Sequence, residues 1–357
     1  MSLRKSVTAV ALTVAATVTG GPVAAGTTGT AAPPAGAEPR PVVGDFDVLW
    51  GVAVLPDRST LVTERDSGRV LRVVGKTVTE VARIPLGPPI VEDPELPYEG
   101  GLLGIAVSPR YDQDETVYVY YSGETDNRIA KLKPGEQPQP IVTGIPRGQF
   151  HNGGRLEIGP DGMLYAGTGD GTVPENAQDP ASLGGKILRM DLDGRPAPGN
   201  PVADSLVYSS GHRNVQGFAW DDSGRMFASE LGDVVDELNG IAPGADYGWP
   251  TCEGACQDDR YTNPLIAWDH LEASPSGVAF HDGHLYVAAL RGERMWKIPV
   301  DDNGNVGQGE ALFAGTYGRL RTVLRSPDGG LWFTTSNKDN PWGEPRPGDD
   351  QILSFRG

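Results

Sequence analysis

Phe150-His151-Asn152-Gly153-Gly154-Arg155-Leu156-Glu157-Ile158-Gly159-Pro160-Asp161-Gly162-Met163-Leu164-Tyr165-Ala166 reads as a glycine-flanked turn, a short strand, a Pro-Asp-Gly turn and a second strand. The unit recurs. Gly51-Val52-Ala53-Val54-Leu55-Pro56-Asp57 leads to Leu61-Val62-Thr63-Glu64, and Leu103-Gly104-Ile105-Ala106-Val107-Ser108-Pro109 leads to Val117-Tyr118-Val119-Tyr120. Gln216-Gly217-Phe218-Ala219-Trp220-Asp221-Asp222 leads to Met226-Phe227-Ala228, and Gly277-Val278-Ala279-Phe280-His281-Asp282-Gly283 leads to Leu285-Tyr286-Val287-Ala288. Thr322 to Gly329 leads to Leu331-Trp332-Phe333. Third strands follow several copies, as in Arg69–Val73, Lys186–Met190 and Met295–Ile298.

Short apolar runs bounded by Gly, Pro, Asp and Asn, with 49 Gly and 31 Pro in 357 residues, predict an all-β chain. A period of roughly 50 residues is that of a four-stranded propeller blade. Six units predict a six-bladed β-propeller, because one blade cannot bury its faces alone and must stack into a ring. A sandwich or a parallel β-helix does not explain so long a period. Closure is expected to join the chain ends, with Val42–Phe46 beside the strand Gln351–Phe355.

The first strand of each blade lines the central channel, so residues just before those strands converge at one mouth. They are Glu99 before the second unit, His151 before the third, Arg213 and Asn214 before the fourth, and Arg319 and Arg321 at the sixth. Arg291 joins them from the end of the fifth unit's second strand. A histidine at a strand entrance titrates near neutral pH, as a general base must. Each arginine taken singly suits a salt bridge between blades. Four together in an acidic chain point to an organic polyanion, whose carboxylates Arg clamps in bidentate fashion.

The net charge of −17 argues against nucleic acid or an anionic membrane as partner and favours a small-molecule ligand. Arg4 and Lys5, the apolar run Ser6–Val18 and the small residues Val23-Ala24-Ala25 predict a cleaved export signal over residues 1–25, with no membrane span. Residues 26–41, rich in Ala, Gly, Thr and Pro, read as a disordered leader, and 42–357 as the propeller. Secretion follows as the expected location. In an exported chain Cys252 and Cys256 are expected to form a disulfide. A C-x3-C metal pair is the alternative, but no further Cys or close His pair accompanies it.

From Asp47 to Phe355 the chain resembles the soluble PQQ-dependent glucose and aldose sugar dehydrogenases, themselves six-bladed propellers. The motifs are Glu99-Gly100-Gly101-Leu102-Leu103-Gly104, His151 through Asp161, Gly167-Thr168-Gly169-Asp170, Gly184 through Gly194, Gly211 through Gly217, Asp236-Glu237-Leu238-Asn239 with Asp246-Tyr247-Gly248-Trp249-Pro250, and Arg319-Leu320-Arg321. The resemblance implies an aldose substrate oxidised to a lactone, an electron acceptor of unknown identity, and His151 as general base. It implies that PQQ is held by Glu99, Arg213, Asn214, Arg291, Arg319 and Arg321, with Asp170 on the cavity rim. It implies Ca2+ at Gly232, Asp233, Glu237 and Tyr247, oxygen donors suited to a hard cation.

The chain departs from the family at several of these places. Glu99 replaces a glutamine, Phe150 replaces an acid, and Arg291 replaces a lysine. Leu231–Asp236 is about one residue short and lacks the usual proline, and the loop after Asp170 differs. Two other classes stay open: a cofactor-free binding module and a calcium-dependent lactonase.

Overall fold

The computed structural model describes residues 38–339 and 341–357. The export signal and most of the leader lie outside the described residues. Twenty-four strands form six four-stranded antiparallel sheets. The first blade is Leu49–Val54, Thr60–Glu64, Arg69–Val74 and Thr77–Arg83. The second is Leu102–Val107, Val117–Ser122, Asn127–Leu132 and Gln139–Ile145. The third is Leu156–Ile158, Leu164–Gly167, Ile187–Met190 and Val207–Ser209. The fourth is Val215–Trp220, Met226–Glu230, Val235–Ile241 and Ile266–Asp269. The fifth is Pro275–His281, His284–Ala289, Arg294–Pro299 and Glu310–Leu312.

The sixth blade joins the two ends of the chain. Leu320–Arg325, Leu331–Thr335 and Ile352–Phe355 take Arg40–Val43 as their fourth strand, with Arg40 opposite Ser354 and Val43 opposite Ile352. The propeller therefore begins at Arg40, two residues before the boundary expected from composition. Thr322 Oγ1 donates to the Trp50 carbonyl at 2.8 Å and closes the ring across the channel.

Inner strands of neighbouring blades lie backbone to backbone. A Cβ on Gly104 would stand 2.1 Å from the Gly154 carbonyl oxygen, and one on Gly217 would stand 2.2 Å from that of Ser276. These close approaches explain why the repeat carries glycine at the start of its first strand. Buried side chains fill the space between blades. One cluster joins Leu103, Tyr118, Tyr120 and Ile129 of the second blade to Leu156, Leu164, Leu188 and Met190 of the third. Each such Leu, Ile or Met contributes roughly 1.5–3 kcal/mol by burial.

In five blades the pairing of the first two strands slips near the start of the first, as between Leu49 and Val52 or Leu102 and Ile105. Bulges at this end turn side chains out of the ladder and toward the mouth. In the third blade the ladder begins only at Leu156. His151, Gly153 and Gly154 hold φ of 54°, 62° and 110°, which no strand accommodates. The shortened strand leaves room for the site. Among the described residues no helix is long and apolar enough to cross a membrane.

Candidate active site

A cavity of about 370 Å³ opens at the mouth where first strands begin and second strands end. Its floor is Trp50, 2% exposed. Below it, the buried Arg155 lies 4.5 Å from the Trp50 ring and crosses the channel, donating to the Gln216 carbonyl at 2.8 Å and to Thr322 Oγ1 at 3.3 Å. Burial pulls the Arg155 guanidinium down to about 10. The walls include Leu231, Leu290, Asn152, Gly153 and Gln216, and Trp342 stands half-exposed at the rim.

Four guanidiniums and three carboxylates line this cavity: Arg65, Arg291, Arg319 and Arg321 against Glu99, Glu293 and Asp339. Asp339 is the hub. Its Oδ1 accepts from Arg65 at 2.7 Å, its Oδ2 from Arg321 at 2.9 Å, and Arg319 lies 3.6 Å from Oδ2. Burial alone would raise the Asp339 carboxyl; Arg65, Arg321 and Arg319 overcome it and hold the group below the usual range. Burial pulls Arg321 down to about 10 and lowers Arg319. Arg65 is buried too, yet Asp339 and Asp66 hold it above its ordinary value.

The polar lining has unused capacity, one donor and one acceptor. Among the described residues, Arg319 Nε and Gln216 Oε1 are buried in the cavity wall without a partner. Behind the wall, Asn214 Nδ2 and Arg213 Nε are equally unpartnered. Buried polar atoms left open in this way indicate that a ligand completes them. Guanidinium and amide donors around a flat indole floor fit a planar molecule bearing carboxylates, as PQQ is.

His151 directly precedes the wall residues Asn152 and Gly153. Its Nδ1 lies 2.8 Å from Asp170 Oδ1. That oxygen also accepts the Thr172 N–H at 2.9 Å, and Oδ2 accepts the Trp249 indole N–H at 2.9 Å. A carboxylate so placed accepts and does not donate, so the imidazole proton sits on Nδ1 and Nε2 is left free to take a proton. Asp170 is fully buried and 19 residues away in sequence, at the end of the third blade's second strand.

The structure brings Glu99, Arg291, Arg319 and Arg321 together in the cavity wall. Asn214 stands behind it, its Oδ1 accepting the Gly153 N–H at 2.9 Å. Arg213 turns elsewhere. Its guanidinium donates to the carbonyls of Leu231 at 3.1 Å and Gly232 at 2.7 Å, lies 3.4 Å from Asp233 Oδ1, and sits 5.5 Å from the Trp249 ring. It props the wall segment that carries Leu231. Arg65 takes the fourth arginine place that the sequence assigned to Arg213.

The four positions expected to bind calcium are engaged otherwise. Gly232, Glu237 and Tyr247 border one small pocket of about 10 Å³, without Asp233, which is two-thirds exposed. The Gly232 carbonyl holds Arg213. Glu237 accepts from the Gly254 N–H at 2.6 Å and from Asn239 at 3.0 Å, and the Tyr247 hydroxyl donates to the Gly240 carbonyl at 2.6 Å. Burial, with Glu230 adding to it, pushes Glu237 up to about 8. This arrangement does not fit a calcium ion unless those bonds give way, so no chemistry is assigned to one. Among the described residues no group of three His, Cys, Asp or Glu side chains forms a metal cluster. Cys252 and Cys256 are joined as a disulfide.

The Glucose / Sorbosone dehydrogenase family model matches residues 46–342. A PQQ-bound aldose sugar dehydrogenase of Streptomyces coelicolor is 47% identical, with a TM-score of 0.83 over 91% of this chain and 99% of that one. A quinoprotein glucose dehydrogenase B of Acinetobacter calcoaceticus is 32% identical over 258 residues, 60% of this chain, which spans only 52% of that protein. An aldose sugar dehydrogenase of Escherichia coli is 25% identical over 81% of this chain and 87% of its own length. With the match covering most of the propeller, the chain belongs to the glucose/sorbosone dehydrogenase family.

Proposed function

We propose that the protein is an exported quinoprotein that oxidises aldoses at the anomeric carbon to lactones, with PQQ as cofactor and His151 as general base. One observation carries this: a cavity ringed by four arginines, one with a buried unpartnered Nε, directly beside a His–Asp pair. Arg291, Arg319 and Arg321, with Arg65 behind Asp339, would hold the cofactor's carboxylates. When bound, the quinone supplies the oxidant for the two electrons that leave the sugar.

The chain's own residues do the rest. His151 Nε2 takes the proton of the anomeric hydroxyl, while Asp170 on Nδ1 steadies the imidazolium that forms. Arginines around the cavity offer positive charge already fixed in place by the fold, so stabilising charge there needs no reorganisation. Leu231, Leu290 and Trp50 limit water at the floor and walls. Export is supported by the N-terminal pattern of residues 1–25 and by the disulfide, and N-terminal sequencing of secreted protein should begin after Ala25.

The test is reconstitution. Purified protein is titrated with PQQ, with and without Ca2+, and dye reduction is followed across a panel of aldoses. The expected result is PQQ-dependent turnover, with His151→Gln lowering kcat by ~10²–10⁴ and leaving PQQ binding intact. PQQ binding without turnover of any aldose would refute the substrate class; absence of PQQ binding would refute the quinoprotein assignment.

A further inference from the structure

We propose that Trp249 is the positioning residue of the His151–Asp170 pair, delivered to the third blade by an excursion of the fourth. The inference rests on His151 being the base.

Trp249 lies in the strandless stretch between Val235–Ile241 and Ile266–Asp269. That stretch leaves its own blade and docks on the third. Tyr247 N donates to the Ser210 carbonyl and Trp249 N to the Gly211 carbonyl, each at 3.0 Å. Gln178 Nε2 donates to the Trp249 carbonyl at 2.9 Å. The disulfide seals the other side, with Cys252 N donating to the Gly248 carbonyl at 3.0 Å. Gly248 has φ of 94°, and a Cβ there would stand 2.6 Å from Cys252 Sγ and 2.9 Å from Cys256 Sγ. The main chain of Trp249 is thus fixed on both flanks, and the Arg213 guanidinium lies against its ring.

All this fixed structure ends in one polar atom. The indole N–H, at 2.9 Å, is the only donor on Asp170 Oδ2 among the described residues. Without it a fully buried carboxylate oxygen loses its partner, and the Asp170 side chain can turn about its terminal torsion. Oδ1 is then steadied only by the Thr172 N–H, its hold on Nδ1 of His151 loosens, and part of the imidazole population moves its proton to Nε2. Ordinary packing would explain a half-buried indole. It does not explain why the single N–H is aimed at the one carboxylate that fixes the histidine.

The test uses the full chain. Trp249→Phe should lower kcat about 10- to 100-fold with KM changed by less than about two-fold, a part of the ~10²–10⁴ that a general base contributes. In Asp170→Asn the same Trp249→Phe change should cost less than about two-fold, because the two act through one bond. Ring-nitrogen NMR of His151 in cofactor-free protein should show a single Nδ1–H tautomer in the wild type and a mixture in the variant. If Trp249→Phe fails to fold, benzothienylalanine at position 249 removes the N–H and keeps the shape. Equal losses in both backgrounds, or an unchanged Nδ1–H tautomer, would overturn the assignment. Absence of aldose turnover by the wild type would instead defeat the proposed function, and the NMR comparison would still decide the role of Trp249.

Discussion

Asp339→Asn isolates the electrostatic core of the site. The wild-type carboxylate is 4% exposed and faces three guanidiniums, at 2.7, 2.9 and 3.6 Å. Asparagine keeps the shape and one acceptor oxygen but removes the charge. Arg319 and Arg321 are then left as buried charges without their carboxylate, beside Arg65, which keeps Asp66 at 2.6 Å. Removing one partner of a buried ion pair costs roughly 3–5 kcal/mol. Unfolding entropy of ~2.1 cal/mol/K per residue, over roughly 320 folded residues, gives ~0.7 kcal/mol/K, so Tm should fall by about 4–7 °C.

The pH dependence fixes the cause. Asp339 has its folded pKa depressed by the three arginines, so its stabilisation is present above the unfolded value near 3.9 and is lost as pH falls through the folded value. The Tm gap between wild type and Asp339→Asn should be full at pH 7 and shrink below pH ~4. Scanning calorimetry at pH 7, 5 and 3.5 measures it. The loss of their shared carboxylate, with only Arg65 keeping a partner in Asp66, should also make the variant respond more strongly than wild type to added citrate. A Tm unchanged within about 1 °C at pH 7, or a gap of constant size down to pH 3.5, would refute the hub.

Two further outcomes follow from a buried lysine and a half-buried carboxyl elsewhere. Lys186 Nζ donates to the carbonyls of Asn176, Ala177 and Gly184 at 2.5, 2.9 and 2.9 Å, tying down the loop that leads from Asp170; Lys186→Met should cost about 3 kcal/mol or more, and hydrogen exchange should show faster opening confined to residues 170–184. Burial pushes Glu157, in the channel below the site, up to about 7, with Arg155 opposing. A carboxyl raised in the folded state loses stability as pH climbs from about 4.5 to 7, so urea midpoints at pH 5 and 8 should differ less for Glu157→Gln than for wild type.

The fold was legible because its cause is local and repeated. Each blade writes itself as two short apolar runs around a Pro, Asp or Gly turn. The glycine at the head of the first strand answers to a backbone contact that recurs around the ring, at Gly104 against Gly154 and at Gly217 against Ser276. The chain-end closure was legible for the same reason, since the sixth unit lacks a fourth strand of its own. Only the boundary moved, from Val42 to Arg40, because the leader's composition runs into a strand whose partner lies more than three hundred residues away.

The site was half legible, and the half that was missed has a topological explanation. In an antiparallel blade the first strand begins at the mouth and the second strand ends there. Beginnings were sought throughout and gave Glu99, His151, Arg319 and Arg321. Endings were used only at Arg291; applied to every blade they also give Arg65, Leu231 and the loop bearing Asp339, while Asp170, expected on the cavity rim, is buried beneath His151. Arg213 lies outside the cavity wall for a different reason. It sits beside Asn214 at a strand entrance, and successive residues there face opposite ways. Asn214 turns in to hold Gly153, and Arg213 turns out to Leu231 and Gly232. The charge balance of the cavity could not be read at all, because Arg65 and Asp339 are 274 residues apart and meet only when the sixth blade closes on the first. Four arginines in an acidic chain looked like a cluster waiting for an anion; the folded ring shows two of them, Arg319 and Arg321, already sharing one carboxylate with Arg65, so the cavity is tuned for a ligand that completes them rather than one that neutralises them outright.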